Sequence, residues 1–218
     1  MSLFTKETTE RTNGKGQPAL MATLPRLEVQ FDPVITMDDD QFFQFCQINR
    51  DLRMERTAAG KVIIMSPAGG ETGSRNASLT AALYTWAKRN KRGVAFDSST
   101  GFILPNGAIR APDGAWVLRE RLTGLTPRQK QKFLPLCPDF VIELRSPTDE
   151  VADLQAKMVE YMANGAQLGW LLIPETQDVY IYRPDTPPEH LPNPAQIKGE
   201  PVAPGFVVDL ADIWDAGF

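Results

Sequence analysis

Asp113, Glu143, Arg145 and Lys157 are the residues of this chain whose types and spacing could do chemistry together. Asp113 stands between Pro112 and Gly114, at the start of a strand-like run. Glu143 ends the apolar run Phe140, Val141, Ile142. Two carboxylates from neighbouring strands make an oxygen-rich site for a hard cation such as Mg²⁺ or Mn²⁺. A cation held there activates water and stabilises charge on a phosphodiester during transfer. A basic side chain close by offsets the developing negative charge. Arg145 lies two residues beyond Glu143 and does not deprotonate, so it supplies charge and hydrogen bonds only. Lys157 lies one helical turn after Asp153, and burial can move a lysine pKa. The same residues have plain structural readings: a Pro-Asp-Gly turn, a Glu143–Arg145 ion pair, and an Asp153–Lys157 surface pair at helical spacing.

The elements that must position them run from Pro138 to Trp170. Strand alternation puts Val141, Glu143 and Arg145 on one face and Phe140, Ile142 and Leu144 on the other. A charge at the end of such a core strand is costly to bury unless it is paired or holds a ligand. After the turn at Ser146-Pro147, Thr148 or Asp149 is placed to cap a helix, and Glu150 and Asp153 suit its positive end. Asn164-Gly165 closes that helix, and Leu168 to Pro174 is again apolar. Strand, helix, strand predicts two parallel strands with a right-handed crossover, the core of an α/β domain.

The chain has 218 residues, a length that suits one domain, and 42% hydrophobic residues, enough for a sizeable core. The expected division is a flexible tail over 1–32, polar and without periodicity, followed by one domain over 33–218. Neither an apolar run of membrane-spanning length nor a secretory leader is visible. Two distant cysteines, Cys46 and Cys137, read as reduced thiols of a cytoplasmic protein. The single histidine, His190, sits in a proline-rich stretch, which argues against His-rich zinc sites and Ser-His-Asp or Cys-His catalysis. A net charge of -4 excludes strong non-specific nucleic-acid binding by the chain as a whole.

Along the chain, Thr36 or Asp38 opens a helix, and 52–56 with 61–65 predict a hairpin across Ala58-Ala59-Gly60. A long helix is expected over 74–91, with Leu79, Leu83 and Trp86 at helical spacing. Strands are expected over 94–97, 101–104 and 109–118, and helical pieces over 119–132. Beyond 138–174 come a strand over 178–183, a loop over 184–194, edge strands over 196–200 and 206–208, and a last short helix over 210–214. Glu71 and Glu55 are secondary acidic candidates. Glu71 also suits a helix first turn, and Glu55 a cross-strand pair with a neighbouring arginine. The loop Gly69 to Ser74 lacks the lysine of a phosphate-binding loop and reads as a helix cap. Lys88, Arg89, Lys91 and Arg92 form a basic cluster that suits a helix C-terminus and could also meet phosphates.

A larger pattern is carried by Arg53-Met54-Glu55-Arg56, Met65-Ser66-Pro67, Gly69 to Asn76, Asp97 to Phe102, Pro112-Asp113, Pro138 to Asp149, Lys157, Tyr161 and Gly169-Trp170-Leu171. Through these the chain, from about Leu24 onward, resembles the Uma-type restriction endonuclease family of the PD-(D/E)xK nuclease superfamily. The resemblance implies a restriction-endonuclease-like fold, with a central mixed β-sheet flanked by helices. It implies Asp113 as the first acid, Glu143 as the second, and the Leu144 carbonyl as a further metal ligand. Arg145 occupies the superfamily's lysine slot, so the lysine role falls to Lys157. Many members place a further acid on an early helix near the metal, and Glu71 precedes such a helix here. The implied activity is Mg²⁺- or Mn²⁺-dependent hydrolysis of DNA by a homodimer. The alternative is a binding or scaffold protein that keeps the fold without turnover, a reading that Arg145 and the acidic balance favour. RNA or a small phosphoester as substrate stays open.

Overall fold

The computed structural model describes residues 27–218. In chain order the elements are β1 (Leu27–Gln30), α1 (Asp39–Ile48), β2 (Arg53–Arg56), β3 (Lys61–Met65), α2 (Gly70–Asn90), β4 (Gly93–Asp97), β5 (Phe102–Ile103), β6 (Ile109–Arg110), β7 (Gly114–Leu118), α3 (Arg119–Thr123), α4 (Pro127–Lys130), β8 (Phe140–Leu144), α5 (Val151–Ala163), β9 (Leu168–Ile173), β10 (Asp178–Tyr182), β11 (Glu189–Pro192), β12 (Gln196–Lys198), β13 (Val207–Asp209) and α6 (Ala211–Trp214).

The wholly buried run Phe140–Leu144 lies inside a six-stranded mixed sheet of order β11-β10-β9-β8-β7-β4. β8 and β9 are parallel and joined through α5, and the other pairings of this sheet are antiparallel. Alternation along β8 then sorts its side chains. Phe140, Ile142 and Leu144 join one core cluster with Leu79, Leu83 and Ala87 of α2. Val141 joins another with Leu154, Met158 and Tyr161 of α5. The two long helices therefore cover opposite faces of the sheet. A Cβ on Gly169 of β9 would lie 2.3 Å from the Met158 Cε, so the glycine leaves room for the tip of that α5 side chain against the sheet.

A second, five-stranded antiparallel sheet of order β1-β3-β2-β6-β5 has its own small core of Phe42, Met54, Val62 and Ile109. A two-stranded sheet, β12-β13, completes the fold. The restriction-endonuclease-like α/β class expected from the sequence is the class observed, with the mixed sheet flanked by helices and joined by two smaller sheets.

Several boundaries differ from expectation. The apolar stretch 109–118 is two strands in two sheets, broken at Ala111-Pro112-Asp113. The proline lacks the N–H a ladder needs, and the break frees Asp113 from strand pairing. The proline-rich 184–194 contains β11, an edge strand on which a proline costs no ladder bond to a further neighbour. α2 begins at Gly70, four residues ahead of the expected start, because Gly69 takes the N-cap place without a side-chain cap. Glu150, neither Thr148 nor Asp149, is the N-cap of α5. Asp149 instead folds back to accept from the Ser146 N–H and hydroxyl at 2.9 and 2.6 Å. Of the expected tail, 1–26 lies outside the described residues, and Leu27–Gln30 form β1 against β3. Asp38, one of the two expected starts, caps α1 and forms a capping box with Gln41, and the C-terminal stop of α5 at Asn164-Gly165 is as expected.

Candidate active site

Asp113 directly precedes β7, and the antiparallel register Gly114↔Ile142 brings it level with Glu143 on β8. The Leu144 N–H donates to Asp113 Oδ2 at 2.9 Å, which ties the two acids' strands together. The other oxygen, Oδ1, accepts from Asn76 Nδ2 of α2 at 3.2 Å. Glu143, sharing the α5 face with Val141, meets Lys157 there. Lys157 Nζ lies 2.8 Å from Glu143 Oε1, and Tyr161, one turn further along α5, donates its hydroxyl to the same oxygen at 3.1 Å. Spacing of four residues along a helix puts Lys157 and Tyr161 on one stripe.

The third wall comes from the five-stranded sheet. Glu55 of β2, with a side chain only 3% exposed, lies 2.8 Å from Lys157 Nζ through Oε1. Oε1 also accepts from the Ala111 N–H at 2.9 Å, and Oε2 from Arg110 Nη1 at 3.2 Å. Arg110 continues to Glu160 of α5 at 2.6 Å. Glu55, Lys157, Glu143 and Asp113 thus form one buried chain of charges bridging the two large sheets.

The remaining sequence candidates lie elsewhere. Arg145 leaves the strand face just past β8, where its Nη1 pairs with Glu175 at 2.7 Å and its Nε donates to the Asp149 carbonyl. The expected Glu143–Arg145 pair does not form, because the β9–β10 turn offers a carboxylate outside the site. Glu71, 61% exposed, is paired with Arg75 on its own helix, the first-turn role. Lys157 is not in a surface pair but is buried between two carboxylates. Sequence reasoning about single positions passed over Asn76, Arg110, Tyr161 and Glu160 as functional groups. Tyr161 and Glu160 had a signal, their i+4 and i+3 spacing from Lys157. Asn76 had only its place in the family pattern and Arg110 had none, since only the folded chain brings them to Asp113 and Glu55.

The electrostatics follow from burial and counting. Burial pushes the Glu143 carboxyl up to about 7, with the charges of Asp113 and Glu55 adding to the rise and Lys157 opposing it. Burial also raises Asp113, against its Leu144 N–H bond and the Lys157 charge. For Glu55 burial acts upward, but Lys157, Arg110 and the Ala111 N–H outweigh it and hold the carboxyl below its ordinary value. Lys157 is raised despite burial, because two carboxylates face it, so it is an ammonium at neutral pH. With all four carboxylates ionised, Asp113, Glu143, Glu55 and Glu160 would stand against two cations, Lys157 and Arg110, an excess of two negative charges that the raised Glu143 and Asp113 partly relieve by holding protons.

That excess fits a divalent cation. Among the described residues no three His, Cys, Asp or Glu side chains surround a common metal position. Asp113 and Glu143, with the Leu144 carbonyl beside them, offer two carboxylates and a neutral oxygen. Mg²⁺ commonly binds in this way, through one or two carboxylates with water and substrate phosphate filling its sphere.

Both the family and the fold are shared with known proteins. The chain belongs to the Uma2 family, whose description is "Putative restriction endonuclease" and whose model matches residues 39–211. It is also similar in structure to a crystal structure described as "a putative nuclease belonging to DUF820 from Anabaena variabilis ATCC 29413". That match has a TM-score of 0.64 at 18% identity and covers 82% of this chain and 98% of that one. The comparison with curated proteins finds no match. Among the described residues no helix is long and apolar enough to cross a membrane.

Proposed function

We propose that this chain is a metal-dependent endonuclease hydrolysing phosphodiester bonds in DNA. The observation that carries the reading is the buried contact of Lys157 with Glu143, 2.8 Å from nitrogen to oxygen, beside an Asp113 tied to the same strand end. A structural ion pair needs one carboxylate per ammonium; this site crowds an excess of acid around one lysine, at a cost in stability that a ligand-free role does not explain.

Asp113, Glu143 and the Leu144 carbonyl would hold Mg²⁺ or Mn²⁺. When bound, the cation would supply water activation and charge neutralisation at the phosphate. Asp113 is oriented by the Leu144 N–H and the Asn76 amide, and Glu143 by Lys157 and Tyr161. Lys157, protonated at neutral pH, is no general base. It can offset charge on the phosphate oxygens or give a proton to the leaving oxygen. Glu55 keeps the ammonium in place when Glu143 turns to a ligand. Arg145, expected to stabilise charge, has no part in this scheme because Glu175 holds it. A homodimer in the cytoplasm, cutting both strands of a duplex, belongs to the same proposal by analogy with the superfamily.

The test is cleavage of supercoiled plasmid, single-stranded DNA and RNA in Mg²⁺ and Mn²⁺, with EDTA as control. Nicking of the plasmid that EDTA stops and that Asp113→Ala and Glu143→Ala each abolish supports the reading. No cleavage of any substrate, with no Mn²⁺ binding by calorimetry, sinks it and leaves a binding protein on a nuclease fold. Cleavage of RNA alone would keep the chemistry and change the substrate.

A further inference from the structure

Asn76 reaches the site from α2 and presents two different faces. Its Nδ2 donates to Asp113 Oδ1 at 3.2 Å. Its Oδ1 is closed to solvent and accepts no hydrogen bond. The orientation of the amide is not arbitrary. Exchanging the two atoms would set the amide oxygen against the carboxylate, acceptor against acceptor, so Asp113 fixes which end carries the oxygen. Buried side-chain acceptors are nearly all satisfied in folded proteins, and one that is not calls for an explanation such as an ion.

Among the described residues, the two other buried side-chain atoms without a partner are the indole nitrogens of Trp116 and Trp170. They are donors inside the aromatic core and have aromatic rings around them. Asn76 Oδ1 differs in kind: it is an acceptor, and it belongs to the amide that grips the first acid of the site. Oxygen joined through one carbon to a group touching Asp113 lies within a side chain's width of that carboxylate. The described cations near Asp113 are otherwise engaged. Lys157 lies between Glu55 and Glu143, and Arg53 donates to the Ser98 carbonyl.

We propose that Asn76 is a further ligand residue of the divalent-cation site, giving the neutral oxygen Oδ1 to the same ion that Asp113 and Glu143 hold. The inference rests on the metal-dependent reading above. An amide carbonyl is a hard oxygen donor suited to Mg²⁺ and Mn²⁺. Being neutral, it completes the sphere without adding negative charge to a cluster that already has more carboxylates than cations. The same side chain then orients one ligand and serves as another, and a cation gives the orphaned oxygen its missing partner.

The experiment is Mn²⁺ titration calorimetry on the full chain, without DNA, for the native protein, Asn76→Ala, Asn76→Asp and Asp113→Asn. Thermal melts of the metal-free variants verify folding. The expected result is Mn²⁺ binding weakened about tenfold to a hundredfold in Asn76→Ala. Asn76→Asp keeps an oxygen but loses the donor to Asp113. It is expected to melt lower without metal, yet bind Mn²⁺ within about threefold of native or tighter, because a carboxylate oxygen replaces the amide one. If Asn76 merely orients Asp113, both substitutions weaken binding alike, and the proposal is overturned. Native-like Mn²⁺ affinity in Asn76→Ala, with binding lost in Asp113→Asn, overturns it while leaving the metal-dependent reading intact. Absence of Mn²⁺ binding by the native chain overturns both.

Discussion

The two faces of β8 are buried to the same degree and are built on opposite rules. On the α2 face, Phe140, Trp170, Phe206, Trp116 and Trp86 form a run of ring contacts with centroids 4.8 to 5.9 Å apart, Trp170 stacked flat on Phe206. On the α5 face, one residue further along the strand, Glu143 meets Lys157, Tyr161 and the charge of Glu55. The aromatic face needs only shape and area; many apolar residues of similar volume can satisfy it. The charged face needs each partner, because any ion left alone in a dry site bears its full desolvation cost. The aromatic face supports the fold, and the charged face spends stability on a site.

The comparison is broken first at Lys157. Lys157→Ala leaves Glu143 without a counter-ion and Glu55 with Arg110 alone, and a loss of about 3–5 kcal/mol in urea unfolding is expected, together with loss of cleavage. Phe206→Ala should cost a similar amount, about 3–5 kcal/mol. Under conditions where the variant remains folded, its Mn²⁺ affinity should stay native. If Mn²⁺ binding fell with it, the two faces would not be independent.

Glu143→Gln separates stability from function more sharply. It removes one of the excess negative charges while keeping the side chain's shape. The metal-free variant is expected to be more stable than native at pH 8 and to bind no Mn²⁺. The pH dependence gives the sign. Glu143 sits at about 7 in the folded chain against an ordinary 4.5, so the folded state favours its protonated form. Its contribution to stability is full below about 4.5 and is lost as pH rises through 7. Asp113, also raised, adds in the same sense, and Glu55, held low, opposes it. Native protein should therefore lose ground to Glu143→Gln in urea midpoint between pH 5 and pH 8. A cation competes with that proton, so Mn²⁺ affinity should climb with pH up to about 7 and then level. A flat profile would show that Glu143 is not the residue the ion displaces protons from.

The smallest effect is expected at Arg145. Its pair with Glu175 is partly exposed, 21% and 41% for the two side chains, and pairs of that kind contribute about 0–1 kcal/mol. Arg145→Ala should leave plasmid cleavage within a few-fold of native. A large loss of cleavage would mean that Arg145 abandons Glu175 for the phosphate when DNA binds.

Much of this arrangement could be read from the sequence because it is local. The apolar run before Glu143, the turn at Ser146-Pro147 and the Asn164-Gly165 stop define strand, helix and strand by spacing alone, and Lys157 falls on that helix. Asp113 and Glu143 were candidates as acids at the ends of strands, and the family pattern paired them. What periodicity does not carry is partner choice across the chain. Glu55 and Lys157 are 102 positions apart in number and come from a strand, β2, and a helix, α5, so no local pattern signals their contact. Arg145 follows strand alternation on paper, but the carboxylate of Glu175 on the next turn draws it outward. The split of 109–118 between two sheets was missed because its apolar pattern is continuous, while the decisive feature is the N–H that Pro112 lacks.

The far end of the chain fastens the helix that carries Asn76. Ser74 donates its hydroxyl to the Ala216 carbonyl, 142 positions away, and Arg75 donates to that of Ile213, 138 away. At ribosomal speeds, the stretch between those partners takes roughly 7 to 30 seconds to synthesise. Until it has emerged, α2 is held to the acidic strands by its apolar face, Leu79, Leu83 and Ala87, without these two bonds near its N-terminus. The order of translation therefore delays these two tethers of α2 until residues 213–216 have been made.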